Sequence, residues 1–212
     1  MSPTNNEERQ AGYLLLSQFK MFNEAAVFFE RQIDPAIWKG IDLCAKALIS
    51  KEKWHGEADY ARSGVFWLAP DEWKINDTDY KYFYESFCVR SNKDDYELAL
   101  LTGCRGEEAQ FGFRFHPSKT FFGSHKNLRA IASNIDQGSR IALNDLNFKD
   151  LGTGAFFLPV TLDLNLMAEC WRDNGEFPPD HQLFVPLRSA LETLEKAVPI
   201  FNDLFTAAND NL

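Results

Sequence analysis

The residues of this sequence that could bind or transform an anion are concentrated in one basic segment. Residues 109–135 contain no Asp or Glu, although the whole chain of 212 residues carries a formal charge of -9. The segment instead holds basic and imidazole side chains: Arg114, His116, Lys119, His125, Lys126 and Arg129. Guanidinium and ammonium groups bind phosphates and carboxylates through charge-assisted hydrogen bonds. The segment therefore predicts a site for an anionic ligand or for an acidic loop of a partner protein.

Two neighbouring features favour a binding site in this segment. A helix is predicted to begin at Gly123 and Ser124, and the free N–H groups at a helix start attract an anion. Phe121 and Phe122 come directly before it, and aromatic side chains anchor protein interfaces. The predicted binding residues are Arg114, His116, Lys119, Phe122, Lys126 and Arg129. The alternative is internal compensation, in which these basic side chains pair with acidic neighbours of their own chain.

Glu85 and His116 are the candidates for proton transfer, although no catalytic residue is assigned. Glu85 shares one face of a predicted strand with Phe83 and Phe87, and burial of that face would raise the pKa of its carboxyl group. The opposite face, with Tyr82 and Tyr84, is the alternative buried one. The sequence leaves this choice open. In an enzyme, the basic side chains would hold an anionic substrate while Glu85 or His116 served as the acid or base.

Common catalytic and cofactor motifs are missing from the sequence. There is no GxxxxGK[ST] loop, no GxSxG elbow and no HExxH pair. The GTG at Gly152 lacks the third glycine of a dinucleotide fingerprint, and a strand rather than a helix is predicted after it. Cys88, Cys104, His116 and His125 lie in one region, but their spacing fits no zinc module. We therefore predict neither a metal nor a cofactor.

Composition and charge narrow the class of partner and the compartment. A net charge of -9 repels nucleic acid at long range, which argues against it as a partner. A third hypothesis, in which Tyr82 and Tyr84 stack bases on an open sheet face, is kept as an alternative. No apolar run approaches the ~18 residues of a membrane span, and the polar first ten residues do not resemble a secretory signal. Four dispersed cysteines are typical of free thiols, so a cytoplasmic location is expected.

Apolar spacing predicts helices at both ends of the chain. Residues 7–33 form a first helix, and Asp34 is expected to cap a second one that ends near Gly56. Shorter helices are predicted from Ser124 and from Thr161. The last helix has the clearest apolar stripe, namely Phe184, Leu187, Leu191, Leu194, Val198, Phe201 and Phe205, with Pro199 expected to kink or restart it. This stripe packs on the chain's own sheet or, alternatively, forms a homodimer seam.

The middle of the chain predicts an antiparallel sheet. Four β-type runs follow one another with short turns between them, at residues 63–70, 80–90, 95–103 and 109–116, and a fifth lies at residues 154–160. Phe111, Phe113 and Phe115 alternate with polar residues, which indicates a strand with one buried and one wet face. The fold class is therefore α+β: an antiparallel β-meander of four to five strands with N- and C-terminal helices packed on one face. Residues 1–212 form one domain in this prediction, with residues 1–8 and 207–212 disordered.

The function predicted from these observations is macromolecular contact. We expect a non-catalytic cytoplasmic binding protein of the regulatory or inhibitor type, with a protein partner and an anionic ligand as the alternative. The second hypothesis is the small enzyme described above, acting on a phosphorylated or anionic substrate. The two differ in geometry, because an enzyme needs Glu85 or His116 in a pocket within reach of Arg114 and Lys126.

Overall fold

A computed structural model describes residues 5–90, 95–106, 108–122 and 125–209. Within these ranges it describes only the backbone of residues 119, 120, 125, 131 and 205–209.

The described residues form one six-stranded antiparallel sheet with helices before, between and after its strands, which confirms the predicted α+β class. The strand order is β1-β2-β3-β4-β6-β5, so the first four strands are a meander and the last two a hairpin that joins at β4. The strands are β1 His55–Asp59, β2 Val65–Ala69, β3 Tyr82–Val89, β4 Gln110–Pro117, β5 Lys149–Gly152 and β6 Ala155–Pro159. The sheet thus has one strand more than the predicted range.

The helices precede β1, fill the connections between strands and follow β6. They are α1 Asn6–Ser17, α2 Phe19–Phe28, α3 Asp34–Glu52, α4 Tyr60–Ser63, α5 Glu97–Leu101, α6 Lys119–Phe122, α7 His125–Ser133, α8 Gln137–Asp145, α9 Leu164–Asn174 and α10 Val185–Asn209. A π-helical turn, Phe29–Ile33, joins α2 to α3. Residues 5–8 and 207–209, for which disorder was predicted, belong here to the capped start of α1 and the last turn of α10.

The core lies between one face of the sheet and helices α3 and α10. Phe111, Phe113 and Phe115 are buried, as their alternation predicts, and the ring of Phe115 stacks on Phe201 of α10 at 3.8 Å. Tyr84 is also fully buried and donates its hydroxyl hydrogen bond to the Leu194 carbonyl of α10 at 2.9 Å. The buried face of β3 is therefore the tyrosine face. This overturns the hypothesis of base stacking on an open sheet through Tyr82 and Tyr84.

Several element boundaries differ from those predicted, for local reasons. Residues 97–101 form α5 rather than a strand, and Leu98, Leu100 and Leu101 of this helix are buried in the main core. Asp34 does not cap α3, since the π-helical turn runs directly into that helix; its carboxylate instead accepts a hydrogen bond from the Trp38 indole. Lys53, in the left-handed conformation, ends α3, and Gly56 lies in β1. Helix α10 continues through Pro199 without restarting.

The apolar stripe of the last helix is used inside its own chain. Leu187, Leu194 and Phe201 have no exposed surface and belong to the main core. Of the two predicted arrangements, the described part of the stripe therefore shows packing inside its own chain and not a seam between two chains. A homodimer that uses the C-terminal helix would have to use its other faces.

The first two helices contribute no buried residue to the core, and Phe28 at the end of α2 contacts Trp171 of α9 edge-on at 6.2 Å. We call residues 6–28, which comprise α1, α2 and the bend at Gln18, the N-terminal arm. A capping box closes its start, with Asn5 Oδ1 accepting from the Glu8 amide and Glu8 Oε2 accepting from the Asn5 amide, both at 2.8 Å. No residue of α1 or α2 is buried.

Candidate functional site

The face of the sheet opposite the core carries a row of side chains that crosses all six strands. Cross-strand register pairs Glu57 with Trp67, Trp67 with Glu85, Glu85 with Arg114, Arg114 with Phe157, and Phe157 with Lys149. Directly paired residues of an antiparallel sheet point to the same face and contact each other. The structure therefore places two of the residues selected from the sequence, Glu85 and Arg114, at the centre of this outer face.

Arg114 is bound on two sides within the row. Its Nε donates to Glu85 Oε1 at 2.8 Å, and a terminal guanidinium nitrogen donates to the same oxygen. Its guanidinium carbon lies 3.8 Å from the centre of the Phe87 ring, a cation–π contact. Only about a quarter of the Arg114 and Glu85 side chains is exposed. The positive charge of Arg114 is thus largely compensated by its own chain.

A glycine and a buried phenylalanine hold this pair in place. Phe157 is fully buried on the outer face, edge-on to Phe87 at 6.1 Å. A Cβ on Gly112 would lie 2.1 Å from the Leu158 carbonyl oxygen and 2.8 Å from the Phe157 ring. Gly112 therefore lets β6 approach β4 and leaves room for the ring.

His116 lies beside the same carboxylate. Its Nδ1 is 3.5 Å from Glu85 Oε1, and its ring is 5.1 Å from that of Phe83, the residue that it opposes across the strands. Glu85 is therefore set between a guanidinium and an imidazole. Such an arrangement can orient the carboxylate, and it can position an imidazole for proton transfer.

A groove of about 580 Å³ runs beside this cluster on the outer face. Its walls are aromatic and its polar groups are carboxylates and hydroxyls, supplied among others by Trp67, Thr78, Asp79, Tyr80, Phe83, Glu85 and Ser118. The volume is large enough for a small-molecule ligand. No basic side chain lines the groove among the described residues, so it does not form the predicted anion clamp.

The other residues of the predicted site lie elsewhere. Phe122 is buried and stacks on Tyr82 at 5.7 Å, on the core side of the sheet. Helix α7 packs on that same side through Leu128, while its Lys126 and Arg129 are exposed. Lys126 and Arg129 are thus separated by the sheet from Arg114 and His116. The Lys119 side chain and the helix start predicted at residues 123 and 124 lie outside the described part of the chain.

The N-terminal arm is a second candidate surface, which the sequence analysis did not select. Large apolar side chains of the arm are between 37% and 74% exposed, namely Tyr13, Leu14, Leu15, Leu16, Phe19, Met21, Phe22, Val27 and Phe28. Within the helix predicted at residues 7–33, Leu15, Phe19 and Phe22 face solvent. The signal was present at residues 13–16, because four successive large apolar residues surround a helix and leave no polar face.

The described residues provide no obvious metal site or membrane span. No group of three or more His, Cys, Asp or Glu side chains in this part of the chain could hold a metal ion. None of its helices is both long and apolar enough to cross a bilayer. All four cysteines are free thiols, and burial raises the pKa of Cys44 and of Cys88 to about 11.

Comparison of the chain with protein-family models, with curated proteins and with solved structures finds no match.

Proposed function

We propose that this protein acts in the cytoplasm as a non-catalytic binding protein, of a regulatory or inhibitory type, and that its N-terminal arm makes the macromolecular contact. The observation that carries the proposal is the exposure of large apolar side chains on all sides of residues 13–28. Soluble monomers rarely expose continuous apolar patches above a few hundred Å². A helix that is apolar all round is normally surrounded by other protein.

The attachment and the helical conformation of the arm also suit a docking element. It is connected to the core through a π-helical turn whose Phe29 contacts Tyr96 edge-on at 5.3 Å, so its base is anchored. The capping box at its start and the anchored base favour the helical state of the arm, so that binding has less conformational entropy to remove. The free thiols, two of which are buried, support a reducing compartment.

The test of this function is reconstitution with purified components. A tagged chain is used to isolate its stoichiometric partners, and each partner, including an untagged copy of the chain, is then purified and titrated calorimetrically. We expect saturable binding that is lost in a Leu15→Lys/Phe22→Lys arm variant and kept in the matched surface variant Lys126→Glu/Arg129→Glu. Both variants should retain wild-type near-ultraviolet circular dichroism. Equal binding by the arm variant and the wild type would contradict the proposal.

A second candidate function is an enzyme or small-ligand receptor that uses the outer face of the sheet. It is favoured by one observation: Glu85 lines the groove and contacts both Arg114 and His116. Its test is a thermal-shift screen with cationic, neutral and phosphorylated small molecules. A ligand that stabilises the wild type but not Glu85→Gln would support this function. No shift with any class would leave the arm as the sole candidate.

A further inference from the structure

We infer that the partner of the N-terminal arm is the arm of a second copy of this chain, packed antiparallel to it. This inference rests on the proposed function, since it names the occupant of the same surface. It is carried by four properties of the arm: the order of its charges, the position of its bend, its apolar area and the hollow at its base.

The charges at the two ends of the arm are complementary in antiparallel order. Glu8 and Arg9 stand near its start, while Glu30 and Arg31 come just after its end. When two such helices run antiparallel around a centre between residues 19 and 20, Glu8 faces Arg31 of the second copy and Arg9 faces its Glu30. Two-fold symmetry repeats both contacts, so each end of the pair gains two opposite-charge contacts. All four residues are exposed; within the chain, Glu8 accepts a hydrogen bond from the Asn5 amide and Glu30 accepts one from the Tyr96 hydroxyl.

Parallel packing of the two arms would bring like charges together instead of opposite ones. Each charged residue would then meet its own copy, so that Glu8, Arg9, Glu30 and Arg31 would all face like charges. Lys20, which lies near the centre in the antiparallel arrangement, has a partner within its own arm, because its Nζ is 3.9 Å from Glu24 Oε1. The charge order therefore selects the antiparallel pair.

The bend and the apolar segment are centred at the same place as the charges. Gln18, with φ -115° and ψ 23°, interrupts the helical backbone close to the middle of the arm. The apolar residues extend from 13 to 28, so their centre also lies near residue 20. A two-fold axis near this point would superimpose bend on bend and apolar segment on apolar segment.

The arm offers the area that a stable interface needs. Tyr13, Phe19, Phe22 and Phe28 are 49–65% exposed. A whole aromatic side chain presents about 150–250 Å², so the aromatic rings of two arms expose on the order of 900 Å². The leucines, Met21 and Val27 add a comparable area. Two arms together therefore expose apolar surface of the same order as the roughly 1,200–2,000 Å² that specific interfaces bury, and an antiparallel pair covers the part of it that lies on the facing sides.

A hollow at the base of the arm fits this register. It has a volume of about 300 Å³ and is lined by Asn23, Glu24, Val27, Phe28, Arg31 and Gln32. In the antiparallel register, residues 13–16 of the second copy lie against residues 23–26. The four most apolar successive residues of one arm thus meet this hollow in the other.

The test is sedimentation velocity of the full chain over a range of concentrations. We expect a species of twice the 24.3 kDa chain mass, and a Leu15→Lys/Phe22→Lys variant that sediments as the monomer. Arg9→Glu should weaken the dimer roughly tenfold because it turns both Arg9–Glu30 contacts into repulsions, and it leaves the capping box of Asn5 and Glu8 intact. Arg9→Glu/Glu30→Arg should restore the wild-type dissociation constant. In a parallel pair, Arg9→Glu would only exchange one like-charge contact for another.

Three results would overturn the inference, and they separate it from the proposed function. A dimer unaffected by the arm variants would place self-association elsewhere, and failure of the double charge reversal to restore affinity would exclude this register. A monomer whose arm is cleaved rapidly by trypsin at Arg9 and Lys20 would overturn self-pairing while leaving the arm free for another macromolecule. A monomer whose arm resists trypsin, because it packs on its own domain, would overturn both.

Discussion

Replacing Arg114 by Met would remove the charge from the centre of the outer sheet face while keeping most of the side-chain stem. Glu85 would then lose both guanidinium hydrogen bonds, and Phe87 would lose its cation–π contact at 3.8 Å. Exposed ion pairs contribute about 0–1 kcal/mol, whereas removing one partner of a fully buried pair costs about 3–5 kcal/mol. With about a quarter of each side chain exposed, we expect a loss of about 2 kcal/mol.

The assay is a double-mutant cycle measured by urea denaturation. Arg114→Met, Glu85→Gln and the double variant are compared with the wild type, and we expect a coupling energy of about 1–2 kcal/mol. For a chain of this size, the single Arg114 variant should lower the Tm by about 4–8 °C. Lys126→Met is the matched control, because Lys126 is exposed on α7 and its replacement should change stability by less than about 0.5 kcal/mol.

The cycle decides between internal compensation and a ligand clamp. A coupling energy below about 0.3 kcal/mol, with Arg114→Met as stable as Lys126→Met, would refute the reasoning. Arg114 would then be available to an external anion, as the sequence analysis proposed. A coupling energy in the expected range would mean that a ligand has to compete with Glu85 for Arg114.

Three further predictions concern the core, two glycines and the thiols. Phe201→Ala should lower the free energy of unfolding by about 3–5 kcal/mol, because its fully buried ring stacks on the sheet; a loss below about 1 kcal/mol in urea titration would contradict this packing. Gly112→Ala should lower the free energy of unfolding by at least about 2 kcal/mol in the same titration, since the added Cβ would clash with the backbone of β6. Gly12→Ala has open space around it and should stabilise the helix of the arm by about 1 kcal/mol, which would slow hydrogen exchange of the arm. Equal effects of the two substitutions would refute the close approach of β4 and β6 at Gly112. Exposed Cys104 should react with a thiol reagent at pH 8 far faster than buried Cys44. Burial raises the pKa of the Cys44 thiol from 9.0 to about 11. The stability that this thiol contributes is therefore complete below pH 9 and is lost as the pH rises towards 11. Unfolding of the wild type and of Cys44→Ala, measured over this pH range, would reveal the loss.

The sequence predicted the parts of the fold that periodicity alone determines. Alternation at Phe111, Phe113 and Phe115 identified the buried face of β4, and the three-four spacing of Leu187, Leu191 and Leu194 identified the core face of the last helix. These patterns are reliable because a buried face imposes its period on a regular element. Strand β1, with the sequence HGEAD, has no apolar alternation and was therefore missed.

The candidate site was harder to predict because it depends on register and on what covers a helix. Glu85 and Arg114 are opposed only through the pairing of β3 with β4, which no local pattern in either strand specifies. The arm was predicted as a helix, but periodicity cannot tell whether an apolar face packs on its own domain or remains open. Residues 13–16 carried the missing information, since a helix that packs on one side has no need for four successive large apolar residues.

Hydrogen exchange of the arm as a function of protein concentration tests the central claim most directly. We predict that the amides of α1 and α2 exchange rapidly in dilute solution and become protected as the concentration rises, while the amides of β3 and β4 do not change. The arm would then be a helix that is stabilised by contact with another molecule. Strong and equal protection of the arm amides at every concentration, in a chain that sediments as a monomer, would contradict the claim, because it would show an arm already packed on its own domain.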